Sequence, residues 1–191
     1  MSAPQLQRAF EGLDAATRSR EHPRMIAGLV IRAEEARDIT AIHEIHVAAF
    51  GGDAEAKMVD ALRLAAALDI SLVALLEDVV VGHVAFSAVR VDDRSIGLGL
   101  APLGVRPKHQ RRGVGDALCR RGLLEARVRG FEAIVVLGHP RYYPRFGFAH
   151  APTTFGLRWV GGHDESFFAL ELTAGALRDV DGLVQYRPEI A

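Results

Sequence analysis

Two closely spaced glycines at the start of a predicted helix, Gly113 and Gly115, constrain the fold of this chain more than any other feature. They follow an apolar, strand-like segment that ends at Val105. Glycines at this point leave the first peptide N–H groups of the helix open to a ligand, and such groups bind phosphate. Five basic side chains lie in the same stretch, 105–115. The sequence therefore predicts a strand–loop–helix unit that binds an anion.

Three kinds of phosphate-binding loop have spacings close to this one. A Walker loop requires Gly-Lys followed by Ser or Thr, and that triplet is missing here. A dinucleotide fingerprint requires a third small residue, and that position is Leu118. What remains is Gln110-x-x-Gly113-x-Gly115, a spacing that places successive amides around a pyrophosphate. The alternative interpretation is a glycine-rich turn before a core helix; Pro107 and the basic run favour anion binding.

The composition limits the class of protein. A length of 191 residues fits one domain with a substantial core. The net charge of -1 and the 7% aromatic content argue against a nucleic-acid-binding protein. A single cysteine, Cys119, excludes an intrachain disulfide and favours a reducing compartment. No apolar stretch suits a membrane helix and no secretory signal is recognisable. We therefore expect a cytoplasmic protein with neither a membrane partner nor a metal site.

Hydrophobic periodicity predicts alternating strands and helices, and hence an α/β (α+β) fold with a mixed sheet. The predicted strands are 29–31, 72–76, 79–91, 96–105, 134–137 and 167–172. The predicted helices are 38–50, 53–68 and 112–129, with a short turn or helix at 142–147. Glycines and Pro102 within 96–105 indicate a bulge or a close backbone approach. The order strand, helix, strand from 96 to 137 predicts a right-handed crossover between parallel strands.

The chain divides into three parts. Residues 1–24 are expected to be an N-terminal extension with a short amphipathic helix, since Leu6, Phe10 and Leu13 recur at helical spacing. Residues 25–175 are predicted to form the domain. Residues 176–191 are polar and loosely patterned, and we expect a C-terminal tail there.

Two motifs at a characteristic separation give the chain a family resemblance. The first is Val105-x-Pro107-x-x-Gln110-x-x-Gly113-x-Gly115, and the second is Tyr143-x-x-x-Gly147-Phe148. Together they resemble the GNAT superfamily of N-acetyltransferases. The longer string 142–148, Tyr-Tyr-Pro-Arg-Phe-Gly-Phe, is similar to that of one bacterial branch. The resemblance implies a GNAT fold, with splayed central strands and flanking helices, over most of the chain.

The resemblance also implies a cofactor, acetyl-CoA, and residues that bind it. Its pyrophosphate would lie on the backbone of the loop residues Gln110, Arg111, Arg112, Gly113, Val114 and Gly115. The pantetheine arm would pair with the backbone of Leu103, Gly104 and Val105. The strand 134–137 would splay from the one ending at Val105, and the thioester would lie in that gap. The adenosine 3′-phosphate would be bound by Arg111, Arg112 or Lys108.

The resemblance places a catalytic tyrosine at Tyr143, where it would protonate the departing thiolate. Pro144 disfavours helical geometry at Tyr143, and Tyr142 is the substitute if the Tyr143 hydroxyl is displaced. Asp116 stands where the superfamily often has a small hydroxyl residue. Its carboxylate suits a helix N-terminus but repels phosphate, so we expect it to point away from the loop.

The residues do not identify the general base. A lysine amine with a pKa of about 10.4 is neutral in about one molecule in 2500 at pH 7, a deficit of about 4.6 kcal/mol. His139 follows the strand 134–137 and has a suitable ordinary pKa; a surface histidine is the alternative interpretation, and the bacterial branch commonly has an acidic residue there. Further candidates, acting through water, are Glu44, Glu55 and Glu165. His83 and Cys119 are interpreted as core residues. We expect a chain of bound water, rather than one side chain, to act as the general base.

Three functions compete. The first is acetyl transfer to a primary amine, on a small molecule or peptide, by direct attack in a ternary complex. The second is a non-catalytic acyl-CoA sensor or partner-binding module on the same fold, which the departures at His139 and Pro144 motivate. The third, nucleic-acid binding through 106–112, lacks the basic face and interleaved aromatics it requires. Acceptor selection is expected from 50–57 and 153–165, and a homodimer is implied by resemblance only.

Overall fold

A computed structural model describes residues 26–190. Its centre is a nine-stranded mixed sheet with the order β1-β2-β3-β4-β5-β8-β6, in which β9 pairs with both β3 and β7. The strands are β1 Leu29–Ala33, β2 Ile70–Leu76, β3 Val79–Val91, β4 Arg94–Val105, β5 Ala133–Leu137, β6 Ala149–His150, β7 Leu157–Trp159, β8 Phe167–Glu171 and β9 Gly182–Gln185. The α-helices are α1 Ile39–Phe50, α2 Ala54–Leu64, α3 Val114–Val128 and α4 Ala151–Phe155. In the part of the chain so described, no helix has the length and hydropathy to cross a bilayer.

The central strands part, as the resemblance implies. Strand β4 runs parallel to β5, yet only Leu98 with Ile134 and Gly99 with Val135 are in register. Beyond Gly99, β4 stays with β3 as far as Val105, whereas β5 pairs with β8 along its whole length. A gap therefore opens between the ends of β4 and β5. The mixed sheet and the parallel crossover through α3 confirm the predicted fold class.

A bulge lies at the predicted position in β4. Val84 of β3 is opposite Leu103, but Phe86 is opposite Leu100, so β4 holds one extra residue around Pro102. The extra residue changes which face of the sheet the following side chains occupy.

Helix α3 covers one face of the sheet because its apolar positions recur at helical spacing. Val114, Leu118 and Leu123 are almost fully buried and join a core with Phe86 of β3. Gly122 permits this packing, since a Cβ atom there would overlap the Phe86 ring. The predicted helix 112–129 is thus confirmed, with Gly113 immediately before it.

The elements predicted from the sequence need two corrections. The second helix ends at Leu64 rather than at residue 68, because Ala66 adopts a left-handed φ of 51° and the Asp69 amide already donates to Phe86 on β3. The short elements β6, α4, β7 and β9 were not predicted. Segments of two to five residues are too short to show a hydrophobic period.

The segment expected to be a C-terminal tail takes part in the sheet. Strand β9 pairs Val184 with Val91 of β3 and with Trp159 of β7. Leu177, Val180 and Val184 are buried, so residues 176–190 pack with the domain. The expected extension 1–24, with its predicted helix, lies outside the described residues.

A buried chain of polar groups joins the helices α1 and α2 to the sheet. The Glu34 carboxylate only accepts, so Ser71 donates its hydroxyl to Glu34 and accepts from His83 Nε2 at 2.8 Å. His83 Nδ1 then accepts from His46 Nε2 on α1, also at 2.8 Å. Arg63 of α2 donates to both Glu34 oxygens, at 2.8 and 3.0 Å. This polar chain of hydrogen-bonded side chains holds both helices in place beside β4.

The polar chain works only with neutral imidazoles and an ionised carboxylate. Burial, reinforced by His83, lowers the pKa of His46 to about 3. Burial likewise lowers the pKa of His83. Burial alone would raise the pKa of Glu34, but the nearby His83, 3.6 Å from the carboxylate, and hydrogen bonds from Arg63 and Ser71 outweigh it and hold that pKa well below its usual range. All three groups therefore bind fewer protons in the folded than in the unfolded state at mildly acidic pH.

The free energy of unfolding should therefore fall as the pH is lowered. Unfolded histidine takes up a proton below about pH 6.5 while folded His46 does not, so by pH 5 this residue alone costs about 2 kcal/mol. Urea unfolding at pH 7, 6 and 5 measures the slope. In His46→Gln the slope should be shallower, whereas in His163→Gln, which removes an exposed histidine, it should be unchanged. Equal slopes in all three proteins would contradict the assignment.

Gly122→Ala should destabilise the fold by up to about 2 kcal/mol. The new methyl group overlaps the buried Phe86 ring, and overpacking of about 1–3 kcal/mol outweighs the helix propensity gained over glycine, about 1 kcal/mol. The matched control is Gly52→Ala, where a Cβ atom meets nothing within 4 Å; it should be neutral or slightly stabilising. Urea unfolding of both variants measures the difference. A Gly122→Ala protein as stable as the control would show that Phe86 repacks freely.

Candidate functional site

A cleft of about 890 Å³ occupies the gap between β4 and β5. One side is formed by the first turn of α3 and the loop before it, and the opposite side by α1, α2 and the C-terminal segment. The segment 138–145 closes the end near β5. The splayed strands thus create the opening, and elements distant in sequence form its walls.

The predicted anion loop lies along this cleft. Arg111 and Gly113 both have left-handed backbone, with φ of 57° and 89°, which turns the chain sharply into α3. Among the described residues, no backbone carbonyl accepts from the amides of 111–116, and those at the start of α3 lack partners by helix geometry. Gln110 Nε2 donates to the Val105 carbonyl at 3.0 Å and fixes the loop to the end of β4. Unpartnered amides of this kind suit an anionic ligand.

The loop residues are not equivalent. The residues that line the cleft are Gln110, Arg111, Gly113 and Gly115. The Arg112 side chain is exposed to solvent and does not line the cleft, and the Val114 side chain is buried in the core. Val114 offers only its backbone amide.

The local field at the loop is positive. Burial, together with the nearby charges of Lys108, Arg112 and Arg106, lowers the pKa of His109. The loop therefore adds an attractive field to its unpartnered amides.

The free edge of β4 provides further backbone groups. The Arg106 amide donates to Val81 of β3 at 2.8 Å. Because bonding alternates along an antiparallel pair, Gly104 also directs its backbone groups to β3, while Leu103 and Val105 direct theirs to the gap. Gly104 instead makes room for His46, because a Cβ atom at this position would lie only 2.7 Å from His46 Nδ1. Leu103 and Val105 are therefore the residues able to pair with an extended ligand.

Both predicted tyrosines border the cleft. Pro144 does not exclude helical structure at Tyr143, contrary to the sequence expectation: Tyr143–Phe146 form a 3-10 helix, whose first turn accommodates proline. The Tyr143 ring fits against Gly138, where a Cβ atom would overlap it, and it is 8% exposed. Burial raises the pKa of Tyr143 well above its usual range.

Tyr142 lies nearer the anion loop. Its hydroxyl would be 3.1 Å from a Cβ atom at Gly115, and the Arg145 guanidinium lies over its ring, 4.8 Å from the centroid. Burial, with Asp116 nearby, raises the pKa of Tyr142 strongly. Asp116 forms an ion pair with Arg145 at 3.4 Å. Both phenols thus keep their protons at any pH near neutrality.

The structure separates the candidate bases. His139 and Glu55 line the cleft, and the exposed His139 accepts from the Arg141 amide at 3.2 Å through Nδ1. The other carboxylates are not among its lining residues: Glu44 pairs with Arg106 at 3.0 Å, and Glu165 lies 3.9 Å from His163.

Two further residues fill the core as predicted. His83 is fully buried within the polar chain. Cys119 is also fully buried, and burial raises the pKa of its thiol. Over residues 26–190, no group of three or more His, Cys, Asp or Glu side chains is arranged to hold a metal ion.

Sequence reasoning missed the residues that the C-terminal segment brings to the cleft. Tyr186 and Ile190 line it, together with Trp159 from β7. The Tyr186 and Trp159 rings meet edge to face, 4.8 Å between centroids. A signal was present, because 183–186, Leu-Val-Gln-Tyr, has strand-forming residues between a glycine and a proline.

Comparisons with known proteins agree with this geometry. The model of the acetyltransferase (GNAT) family matches residues 39–148, more than half of the chain. The N-acetyltransferase YhbS of Escherichia coli is 37% identical over 161 residues, which cover 83% of this chain and 96% of YhbS.

Two solved structures are also similar. The crystal structure of YhbS from Escherichia coli in complex with CoA has a TM-score of 0.82 and 35% identity, over 88% of this chain and 95% of that one. A GNAT family acetyltransferase from Brucella melitensis, in complex with acetyl-CoA, has a TM-score of 0.73 and 34% identity, over 85% and 98%.

Proposed function

The chain belongs to the GNAT family of acetyltransferases, and we propose that it acetylates a primary amine, on a small molecule or a peptide, by direct attack in a ternary complex. It is an acetyl-CoA-dependent N-acetyltransferase, as its family and its relatives solved with CoA and acetyl-CoA indicate. The observation that carries the proposal is the row of unpartnered amides at 111–116 beside the gap between β4 and β5.

The residues of the cleft fit acetyl-CoA. The amides from Arg111 to Gly115 would hold the pyrophosphate, and the basic side chains of the loop would add charge attraction. The outward backbone groups of Leu103 and Val105 would pair with the amides of the pantetheine arm. Arg111 borders the cleft and, with Lys108 and Arg112, is proposed for the adenosine 3′-phosphate.

The chemistry places three demands on this chain. Acetyl-CoA, when bound, supplies an activated acyl carbon that an amine nitrogen attacks directly, with the thiolate leaving. Tyr143 holds its proton, because its pKa is raised by burial, and can donate it to the leaving sulfur. An outward-pointing backbone amide of β4 beside the bulge would polarise the acyl carbonyl.

The third demand is a neutral amine. Glu55 and His139 are the candidate bases that border the cleft, and we propose that they act through bound water. Of the candidate bases that the sequence leaves open, Glu44 and Glu165 are thereby set aside. A carboxylate at Glu55 also favours approach of a cationic amine.

The remaining proposals concern partners and location. We propose a cytoplasmic enzyme, since the single cysteine suits a reducing compartment, with no nucleic-acid partner. A homodimer stays a proposal from family resemblance.

The direct test is acetyl transfer to a panel of amines. The purified chain, incubated with acetyl-CoA and each amine, should release CoA and form an acetylated product, detected by a thiol reagent and by mass spectrometry. A protein that binds acetyl-CoA but transfers to no amine would instead support the sensor function.

Tyr143→Phe should lower kcat by about 10²-fold or more with a nearly unchanged KM for acetyl-CoA, because a general acid acts in the transition state. Tyr142→Phe is the matched comparison and should cost much less. Steady-state kinetics on the best amine of the panel measures both. If Tyr142→Phe has the larger effect, the acid is Tyr142 and the assignment of Tyr143 is wrong.

Gly113→Ala should weaken CoA binding by about tenfold. Alanine disfavours the φ of 89° by about 1–2 kcal/mol, so the loop shifts and its amides lose their alignment. The matched control is Gly130→Ala, which has a similar φ of 85° at the other end of α3 and should lose stability without losing affinity. Isothermal titration calorimetry with CoA measures both dissociation constants. Unchanged affinity in Gly113→Ala would contradict pyrophosphate binding by this loop.

A further inference from the structure

The Tyr186 hydroxyl is a buried donor that no described residue satisfies. Its oxygen is inaccessible to water and has no hydrogen-bond partner in residues 26–190, although the Tyr186 side chain borders the cleft. Leaving such a group unpartnered costs about 1–3 kcal/mol. A buried unpaired polar group at a binding cleft is explained most simply by a ligand atom that completes its bonding.

The ring of Tyr186 lies where the two central strands separate. Gly99 and Val135 are the last pair between β4 and β5, and a Cβ atom at Gly99 would overlap the Tyr186 ring. Trp159 supports the ring from the side, edge to face. The hydroxyl is therefore held at the closed end of the gap by groups that leave it little freedom.

Tyr186 lines the same cleft as the proposed general acid, Tyr143. Burial, with a contribution from Tyr143, keeps the pKa of Tyr186 far above its usual range. Two protonated phenols thus face the same region, Tyr143 packed with the core on the α3 side and Tyr186 with the core on the opposite face.

We propose that the Tyr186 hydroxyl donates a hydrogen bond to the carbonyl oxygen of the acetyl group. The inference rests on the proposed function, since it assumes that the acetyl group lies in the gap. The attacking nitrogen uses its lone pair in the new bond, and the sulfur receives the Tyr143 proton. The carbonyl oxygen is the acceptor that remains, and its lone pairs can accept a hydrogen bond from the Tyr186 hydroxyl. The hydroxyl keeps its proton throughout, so Tyr186 stabilises charge and transfers no proton.

The test compares two ligands that differ in the carbonyl group. One is CoA, and the other is acetyldethia-CoA, a stable ketone in which methylene replaces sulfur. In Tyr186→Phe the dissociation constant of the ketone should rise about tenfold, while that of CoA changes less than twofold. Removing an unpartnered hydroxyl should leave Tm unchanged or slightly higher. Equal weakening of both ligands, or of neither, would overturn the proposal.

Two further measurements separate this role from a structural one. Tyr143→Phe is the matched control: its proposed target, sulfur, is absent from the ketone, so the dissociation constant of the ketone should stay at the wild-type value. In the wild-type protein, the infrared carbonyl band of bound ketone should shift to lower frequency and return in Tyr186→Phe. A band in the wild type at the position seen in Tyr186→Phe would also overturn the proposal.

The outcome is independent of acetyl transfer. One outcome is that the ratio of the ketone and CoA dissociation constants is the same in Tyr186→Phe as in the wild type while the wild type acetylates amines. In that case the role of Tyr186 fails and the proposed function stands. If the ratio changes but no amine is acetylated, the hydroxyl contact stands and the proposed function fails.

Discussion

The separation of β4 from β5 is the constraint on which the site depends. Two residue pairs hold these parallel strands together, and beyond Gly99 each strand follows its other neighbour. Pairing with β3 and β8 keeps the two strands rigid while leaving one edge of β4 without a partner strand. Backbone groups on that edge cost free energy if they are shielded from water without hydrogen-bond partners. Binding of an extended ligand with amides of its own is therefore favoured. The same divergence makes room for the tyrosines that line the gap.

The two faces of the sheet supply different parts of the chemistry. On the α3 side, helix geometry leaves amides open and the loop adds positive charge, which suits a phosphorylated cofactor. On the other side, α1 and α2 form a wall that is fixed to the sheet by the polar chain from His46 to Arg63. The buried polar groups are costly to bury and depend on one another's hydrogen bonds, so together they act as an all-or-none support for this wall of the cleft.

The sequence predicts the side of the cleft formed by the loop and α3 far better than the side formed by α1, α2 and the C-terminal segment. Gly113, Gly115 and Tyr143 lie in contiguous motifs whose spacing reflects local helix and turn geometry, and the structure brings them to one cleft. The latter side is assembled from residues more than a hundred positions apart, such as Glu55 and Tyr186. No local period encodes that meeting, and strands of three or four residues, as in β7 and β9, carry too few side chains to reveal a face.

The late position of β9 has a consequence for the order in which this molecule is completed. Its partner β3 lies about ninety residues earlier in the chain, and contacts between such distant segments close large loops, which slows their formation. On the ribosome, the phosphate loop and α3 emerge well before 182–190. The nascent chain at that stage therefore contains the phosphate loop but lacks Tyr186 and Ile190, which line the opposite side of the cleft.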